Sequence, residues 1–142
     1  MAHAGQVLQG PGIRLRLIRT AVETDGELLE MESTYGEAGV LPPPHFHPSQ
    51  EERFEVLEGT VLAIIDGVEG RYETGDVFHV PPGVTHQLVG DGPARLNWQV
   101  RPALRFAEFF EGLYAGMDAA ERGEAFDIGA FLAGHTDEIR FA

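Results

Sequence analysis

Apolar and polar positions alternate in short runs over the first two-thirds of the chain. Ile13 to Arg19 reads IRLRLIR, a strict exchange of aliphatic and charged residues, which places one set on each face of a β-strand. The runs LLEMESTY (28–35), EERFEVLEG (51–59), TVLAIID (60–66), RYETGDVFHV (71–80), THQLVG (85–90) and ARLNWQV (94–100) are short and rich in β-branched and aromatic residues, and each predicts a strand. Turn signals separate them closely, at Asp25-Gly26, Asp66-Gly67, Pro82-Gly83 and Asp91-Gly92. Short strands at such spacing predict an all-β sandwich or barrel.

The period changes after Pro102. In ALRFAEFFEGLYAGM the apolar residues Phe106, Phe109, Phe110, Leu113 and Met117 fall at helical spacing, with Arg105, Glu108 and Glu111 between them. A helix is therefore expected, then a polar loop over DAAERGEAF (118–126), then a second short helix in DIGAFLAG with Asp127 as its N-cap. This divides the chain into a β-barrel domain over 1–102 and a C-terminal helical extension over 103–142, packed on the barrel or on a dimer partner. Core or dimer packing accounts most simply for the aromatic stripe of the first tail helix, a lid over the barrel mouth being the alternative.

Composition narrows the chemistry. With 142 residues, 43% of them hydrophobic, the chain can close one core. Cysteine is absent, which removes disulfides, thiolate nucleophiles and sulfur-ligated metal sites and leaves nitrogen and oxygen donors. All 10 basic residues are arginine and the formal net charge is −13, a balance that repels polyanions, so neither nucleic acid nor an anionic membrane is an expected partner. No run approaches the roughly 18 apolar residues of a membrane span, and MAHAGQVLQG has no basic or apolar targeting pattern. A cytoplasmic location is expected.

The stretch GVLPPPHFHPSQEERFEVLEG holds the chemistry. His45 and His47 are two apart, so an extended backbone projects both imidazoles from one face. In the strand that follows, Glu52 alternates with Phe54 and Val56, whereas Glu51, Arg53 and Glu55 form the solvated set. A carboxylate among apolar side chains is costly unless a cation compensates it. His86 follows a Pro-Pro-Gly turn and alternates with Val84 and Leu88, so it also points inward. Together these residues form an N3O set for a divalent first-row metal ion, and the prolines Pro42, Pro43, Pro44, Pro81 and Pro82 stiffen the loops that aim it.

These spacings resemble the two motifs of the cupin family. Gly39, His45, His47, Glu52 and Gly59 match the first, and Gly75, Pro81, Gly83 and His86 match the second. Gly90 stands where the family usually has Asn, a position that is not one of its metal ligands. The resemblance implies an all-β double-stranded β-helix, or jelly-roll, barrel in which His45, His47, Glu52 and His86 bind Fe, Mn, Ni or Zn. The helical tail is similar to that of small bacterial cupin-domain proteins.

Other side chains are less specific. His79 alternates with Val77 and is read as structural or exterior rather than as an acid or base in the cavity; His3 and His135 lie near the termini and are expected to be solvated. Either Asn97 and Gln99, or Leu96, Trp98 and Val100, face the cavity. Only Ser33 and Ser49 exist, neither in a nucleophile elbow, which disfavours a serine hydrolase. Four protein ligands leave two positions open on an octahedral ion, which favours a dioxygenase-like oxidoreductase acting on a small organic molecule. A metal-dependent isomerase or lyase and a non-catalytic small-molecule binder remain the alternatives. Free strand edges and an aromatic tail suit a homodimer.

Overall fold

A computed structural model of the chain describes residues 2–37 and 39–142. Its elements are β1 (Val7–Gly10), β2 (Ile13–Arg19), α1 (Ala21–Thr24), β3 (Leu29–Tyr35), β4 (His45–Phe46), β5 (Glu51–Glu58), β6 (Thr60–Ile65) and β7 (Val68–Glu73). These are followed by β8 (Val77–Val80), β9 (His86–Gly90), β10 (Ala94–Arg101), α2 (Phe106–Glu121), α3 (Ile128–Ala133) and β11 (Arg140–Phe141). Two antiparallel sheets result, one in the order β1-β2-β3-β10-β5-β8 and the other β11-β4-β9-β6-β7, which is the all-β barrel with short C-terminal helices expected from the pattern.

Alternation decides the interior. Leu15 and Leu17 of β2 are fully buried while Arg14 and Arg16 are exposed, and Phe54 and Val56 of β5 are buried beside Glu52. Between the sheets, Phe54, Val56, Phe78, Val80 and Leu96 pack against Val61 and Ala63 of β6. Further along the first sheet, Leu15, Leu17, Leu29, Met31 and Val100 pack instead against Phe106, Ala107, Phe109 and Phe110 of α2. The second sheet thus covers part of the first sheet's inner face and the tail helix covers another part, with Trp98 touching both clusters. Each of these fully buried aliphatic side chains contributes roughly 1.5–3 kcal/mol relative to exposure.

Turn chemistry sets the hairpins. Asp66 and Gly67 join β6 to β7 with φ of 51° and 78°, the two positive values that a type I′ turn requires. At Gly90 an added Cβ would lie 2.7 Å from Tyr35 Cβ and 2.9 Å from the Gly92 oxygen. The chain therefore has no room for an Asn there, which accounts for its departure from the motif.

Several elements differ from the sequence reading. RYETGDVFHV is not one strand: it breaks at 74–76 into β7 and β8, which belong to different sheets. Gly75, at φ 95°, turns the chain between them. The first tail helix runs on to Glu121 and includes half of the stretch read as a loop. The short strands β1, β4 and β11 lack enough residues to show a period. Asp127 does cap α3, its Oδ1 accepting from Ala130 N at 3.0 Å.

Candidate metal centre

The register of the second sheet brings the histidines together. His45 of β4 pairs directly with His86 of β9, and their ring centroids lie 4.5 Å apart. His47 follows two residues later, its carbonyl accepting from Gly83 N at 2.8 Å, so the Pro-Pro-Gly turn before His86 is tied to it. Its ring lies 5.3 Å from that of His45 and 5.1 Å from that of His86. One ring nitrogen from each of the three lies within 4.8 Å of the others. Glu52 enters from the opposite sheet, where β5 pairs it with Val80 and Val100.

Backbone carbonyls orient all three rings. Nδ1 donates to the Pro43 oxygen in His45 (2.8 Å), to the Glu138 oxygen in His47 (2.7 Å) and to the Val84 oxygen in His86 (2.8 Å). A carbonyl only accepts, so each Nδ1 carries the proton and each Nε2 keeps its lone pair. Oε1 of Glu52 lies 3.1 Å from His47 Nε2 and 2.8 Å from His86 Nε2. Oε1 and His47 Nε2 are nonetheless buried without a hydrogen-bond partner, so both remain available as donor atoms to an ion. The other carboxylate oxygen is held by Trp98 Nε1–H at 2.8 Å. The three imidazoles could hold a metal ion, and nitrogen donors suit a divalent first-row one.

Electrostatics favour the ligating forms of Glu52 and His45 but not that of His47. Burial would raise the Glu52 carboxyl, but the imidazoles of His47 and His86 outweigh it and hold the group well below the usual carboxylate range. His45 is pushed down to about 4, mainly by burial and further by the neighbouring His86 and His47. Burial also works against protonated His47, yet the Glu52 carboxylate and the Glu138 carbonyl raise it overall.

A pH dependence follows for metal-free protein. Unfolded imidazole takes up a proton near 6.5 whereas folded His45 stays neutral to about 4, so the unfolded chain binds the extra proton in that window and stability falls as pH falls. Glu52 adds a loss of the same sign at lower pH, and His47, shifted the other way, offsets part of it. Thermal melts of chelator-treated protein at pH of about 7 and 4.5 are expected to show the decline, and His45→Gln to reduce it. An equal decline in the variant would remove His45 as its source.

The remaining residues fall into place around this centre. Asn97 and Gln99 donate to Glu30 on the outer face, so Leu96, Trp98 and Val100 are the inward set. His79 is exposed, 3.7 Å from exposed Glu51. His3 is exposed too. His135 corrects the expectation of a solvated terminal residue: it is 9% exposed and its Nδ1 lies 2.9 Å from Glu138 Oε1. Sequence reasoning also missed the Glu138 carbonyl, which no side-chain signal could reveal, and Gln50, whose Nε2 donates to the Pro102 and Ala103 oxygens and fastens the tail to the barrel.

Beside the centre lies a cavity of about 640 Å³. It is lined by Tyr35, Phe54 and Trp98 from the barrel, by Phe110, Leu113 and Tyr114 from the tail helix, and by His45 from the candidate metal set.

Comparison with known proteins agrees with this architecture. Residues 31–100 match the family model described as "Cupin domain". The chain is 34% identical over 107 residues to a probable oxidoreductase, yanE, of Aspergillus niger, a match covering 67% of this chain and 42% of that protein. It is 30% identical over 97 residues to the tetracenomycin polyketide synthase protein TcmJ of Streptomyces glaucescens, covering 66% of this chain and 63% of that one. The chain thus spans less than two-thirds of each of these curated relatives. Among solved structures, an RmlC-like cupin from Shewanella frigidimarina superposes with a TM-score of 0.60 at 24% identity, covering 70% of this chain and 86% of that one.

Proposed function

Because the chain belongs to the cupin family, we propose that it is a metal-dependent oxidoreductase of dioxygenase type that acts on a small organic molecule. In this reading His45, His47, His86 and Glu52 hold one divalent ion of the Fe, Mn, Ni or Zn type. The single observation that carries the reading is the convergence of three imidazoles, each oriented by a carbonyl on Nδ1, with the buried Glu52 Oε1 lying 3.1 Å from His47 Nε2 and 2.8 Å from His86 Nε2. Held by these residues, the ion would supply Lewis-acid or redox chemistry to a small organic ligand.

The chain's own residues do the rest. Trp98 fixes the rotamer of Glu52 through Oε2, so that Oε1 faces the histidines. Residues 103–142 serve as a helical extension of the barrel at 1–102. Two relatives carry names that agree with organic chemistry, one an oxidoreductase and one a protein of a polyketide synthase.

Reconstitution with Fe(II), Mn(II), Ni(II) and Zn(II) tests the reading, with oxygen uptake measured against a panel of catechols and diketones. Uptake is expected with a redox-active ion and not with Zn(II). If the protein binds about one ion per chain yet consumes no oxygen with any pairing, the oxidoreductase assignment fails and Lewis-acid catalysis or ligand binding replaces it.

A further inference from the structure

We propose that the cavity beneath the tail helix is the ligand site, and that it selects neutral fused-ring aromatic molecules that present an oxygen-bearing edge to His45. The inference rests on the metal-centre reading only for which end of the ligand points inward.

Charge is the first argument. Among the described residues, no Asp, Glu, Lys or Arg lines the cavity. None of the 10 arginines is therefore placed to receive a ligand carboxylate there. The polar side chains that reach it are the imidazole of His45 and the phenols of Tyr35 and Tyr114. Burial pushes both phenols upward, with Tyr114 and Glu52 adding to the shift at Tyr35, so they remain neutral. Away from the candidate metal set, a carboxylate or ammonium drawn into these walls would lose its hydration without gaining a counter-charge, whereas a neutral ligand pays no such penalty. Tyr35 and Tyr114 can still donate to a carbonyl or hydroxyl on its rim.

Shape is the second. About 640 Å³ lies within the range that encloses a multi-ring organic molecule. The walls are aromatic: Phe54 and Phe110 each meet Trp98 at a centroid distance of 5.5 Å, and Tyr35 and Tyr114 also line the cavity. Such surfaces favour stacked or edge-on rings over a flexible chain. Of the four candidate ligands, only His45 reaches the cavity surface, next to Trp98, which holds Glu52. A ring with adjacent oxygens therefore approaches the centre across these two residues.

The third argument is where the wall comes from. Phe109, Phe110, Leu113, Tyr114 and Met117 form one side of α2 along the cavity, and all lie beyond residue 100, where the family match ends. Another side of α2 carries Gly112 and Gly116, at which an added Cβ would fall 2.4 Å from the Phe131 ring and 2.2 Å from that of Phe126. That close approach backs α2 with a second packed layer. The roof is thus a stiff element of this chain's own tail, suited to selecting a ligand rather than merely admitting one.

The test uses the chain's single tryptophan, Trp98, which lines the site. Full-length protein, with and without Zn(II), is titrated with neutral 1-hydroxyanthraquinone and with anthraquinone-2-carboxylate, following Trp98 quenching and confirming by calorimetry. In the protein without Zn(II), saturable binding is expected for the neutral compound, at least tenfold tighter than for the carboxylate. Leu113→Glu and, at a residue outside the buried core, Met117→Glu should each weaken the neutral ligand at least tenfold while leaving metal content unchanged. Equal affinity for the two compounds in the protein without Zn(II), or no binding of the neutral compound to protein that carries its metal, overturns the inference. Neutral-ligand binding by protein that takes up no ion supports the cavity inference and counts against the metal reading alone.

Discussion

His47→Ala is expected to leave the purified protein almost free of metal, while Glu51→Ala retains about one ion per chain. His47 is 2% exposed, its Nδ1 is committed to the Glu138 carbonyl, and its Nε2 is buried without a hydrogen-bond partner beside Glu52. Its removal takes one donor from a set of four and leaves the Glu52 carboxylate less well compensated. Loss of an outer partner of a metal ligand already costs about 10–100-fold in affinity, and loss of a ligand costs at least that. Glu51 is the adjacent carboxylate in sequence, but it lies on the exposed face near His79. Elemental analysis of the two variants, prepared side by side, decides the matter: equal metal content would remove His47 from the ligand set.

The second large effect is expected at Phe106. This ring is 1% exposed, and it lies 5.1 Å from the His47 ring, 5.8 Å from Trp98 and 4.6 Å from Phe110. It joins the tail helix to the barrel core and to the candidate centre together. Phe106→Ala deletes a buried aromatic side chain whose neighbours are held by strand pairing and cannot fully collapse, a loss of about 3–5 kcal/mol. For a chain of this size, the melting temperature should fall by roughly 10 °C or more. Phe106→Leu should lose much less, and metal content should decline in the alanine variant because the ring that packs against His47 is gone. An unchanged melting temperature would show that the tail helix contributes nothing to the barrel's stability.

Both expectations depend on residues far apart in the chain, and here the limits of sequence pattern become physical. Period-2 alternation reports which side chains share a face, because successive Cβ atoms in a strand point to opposite sides. That was enough to separate Glu52, Phe54 and Val56 from Glu51, Arg53 and Glu55, to turn His86 inward, and to mark β2, β3, β5, β6, β9 and β10. The switch to a 3.6 period after Pro102 was equally legible, as was the cap at Asp127. Alternation with apolar neighbours and the resemblance to the cupin motifs marked His45, His47, Glu52 and His86 as one candidate set. Their proximity follows from pairing that local pattern does not encode: His45 opposite His86, and Glu52 on the facing sheet.

Tertiary structure alone decided what lies between the local patterns. RYETGDVFHV has the composition of one strand, and only its partners, β6 on one side of the break and β5 on the other, divide it between two sheets. Neither Trp98 nor Asn97 announces its direction in a strand with large residues on both faces; the answer came from Glu52 and Glu30, which wait on opposite sides. His135 is buried although it sits seven positions from the end, because the Phe109 and Phe131 rings pack on it and Glu138, three residues later, folds back on it. The tail's hold on His47 passes through a backbone carbonyl, which every residue possesses and which therefore leaves no mark in the sequence. Side-chain identity thus determined the elements, their faces and the chemical types of the candidate donors. The joining of a distant tail to that set, and the uncharged cavity between them, arose from long-range pairing and packing, whose partners are separated by 91 residues in the case of His47 and Glu138.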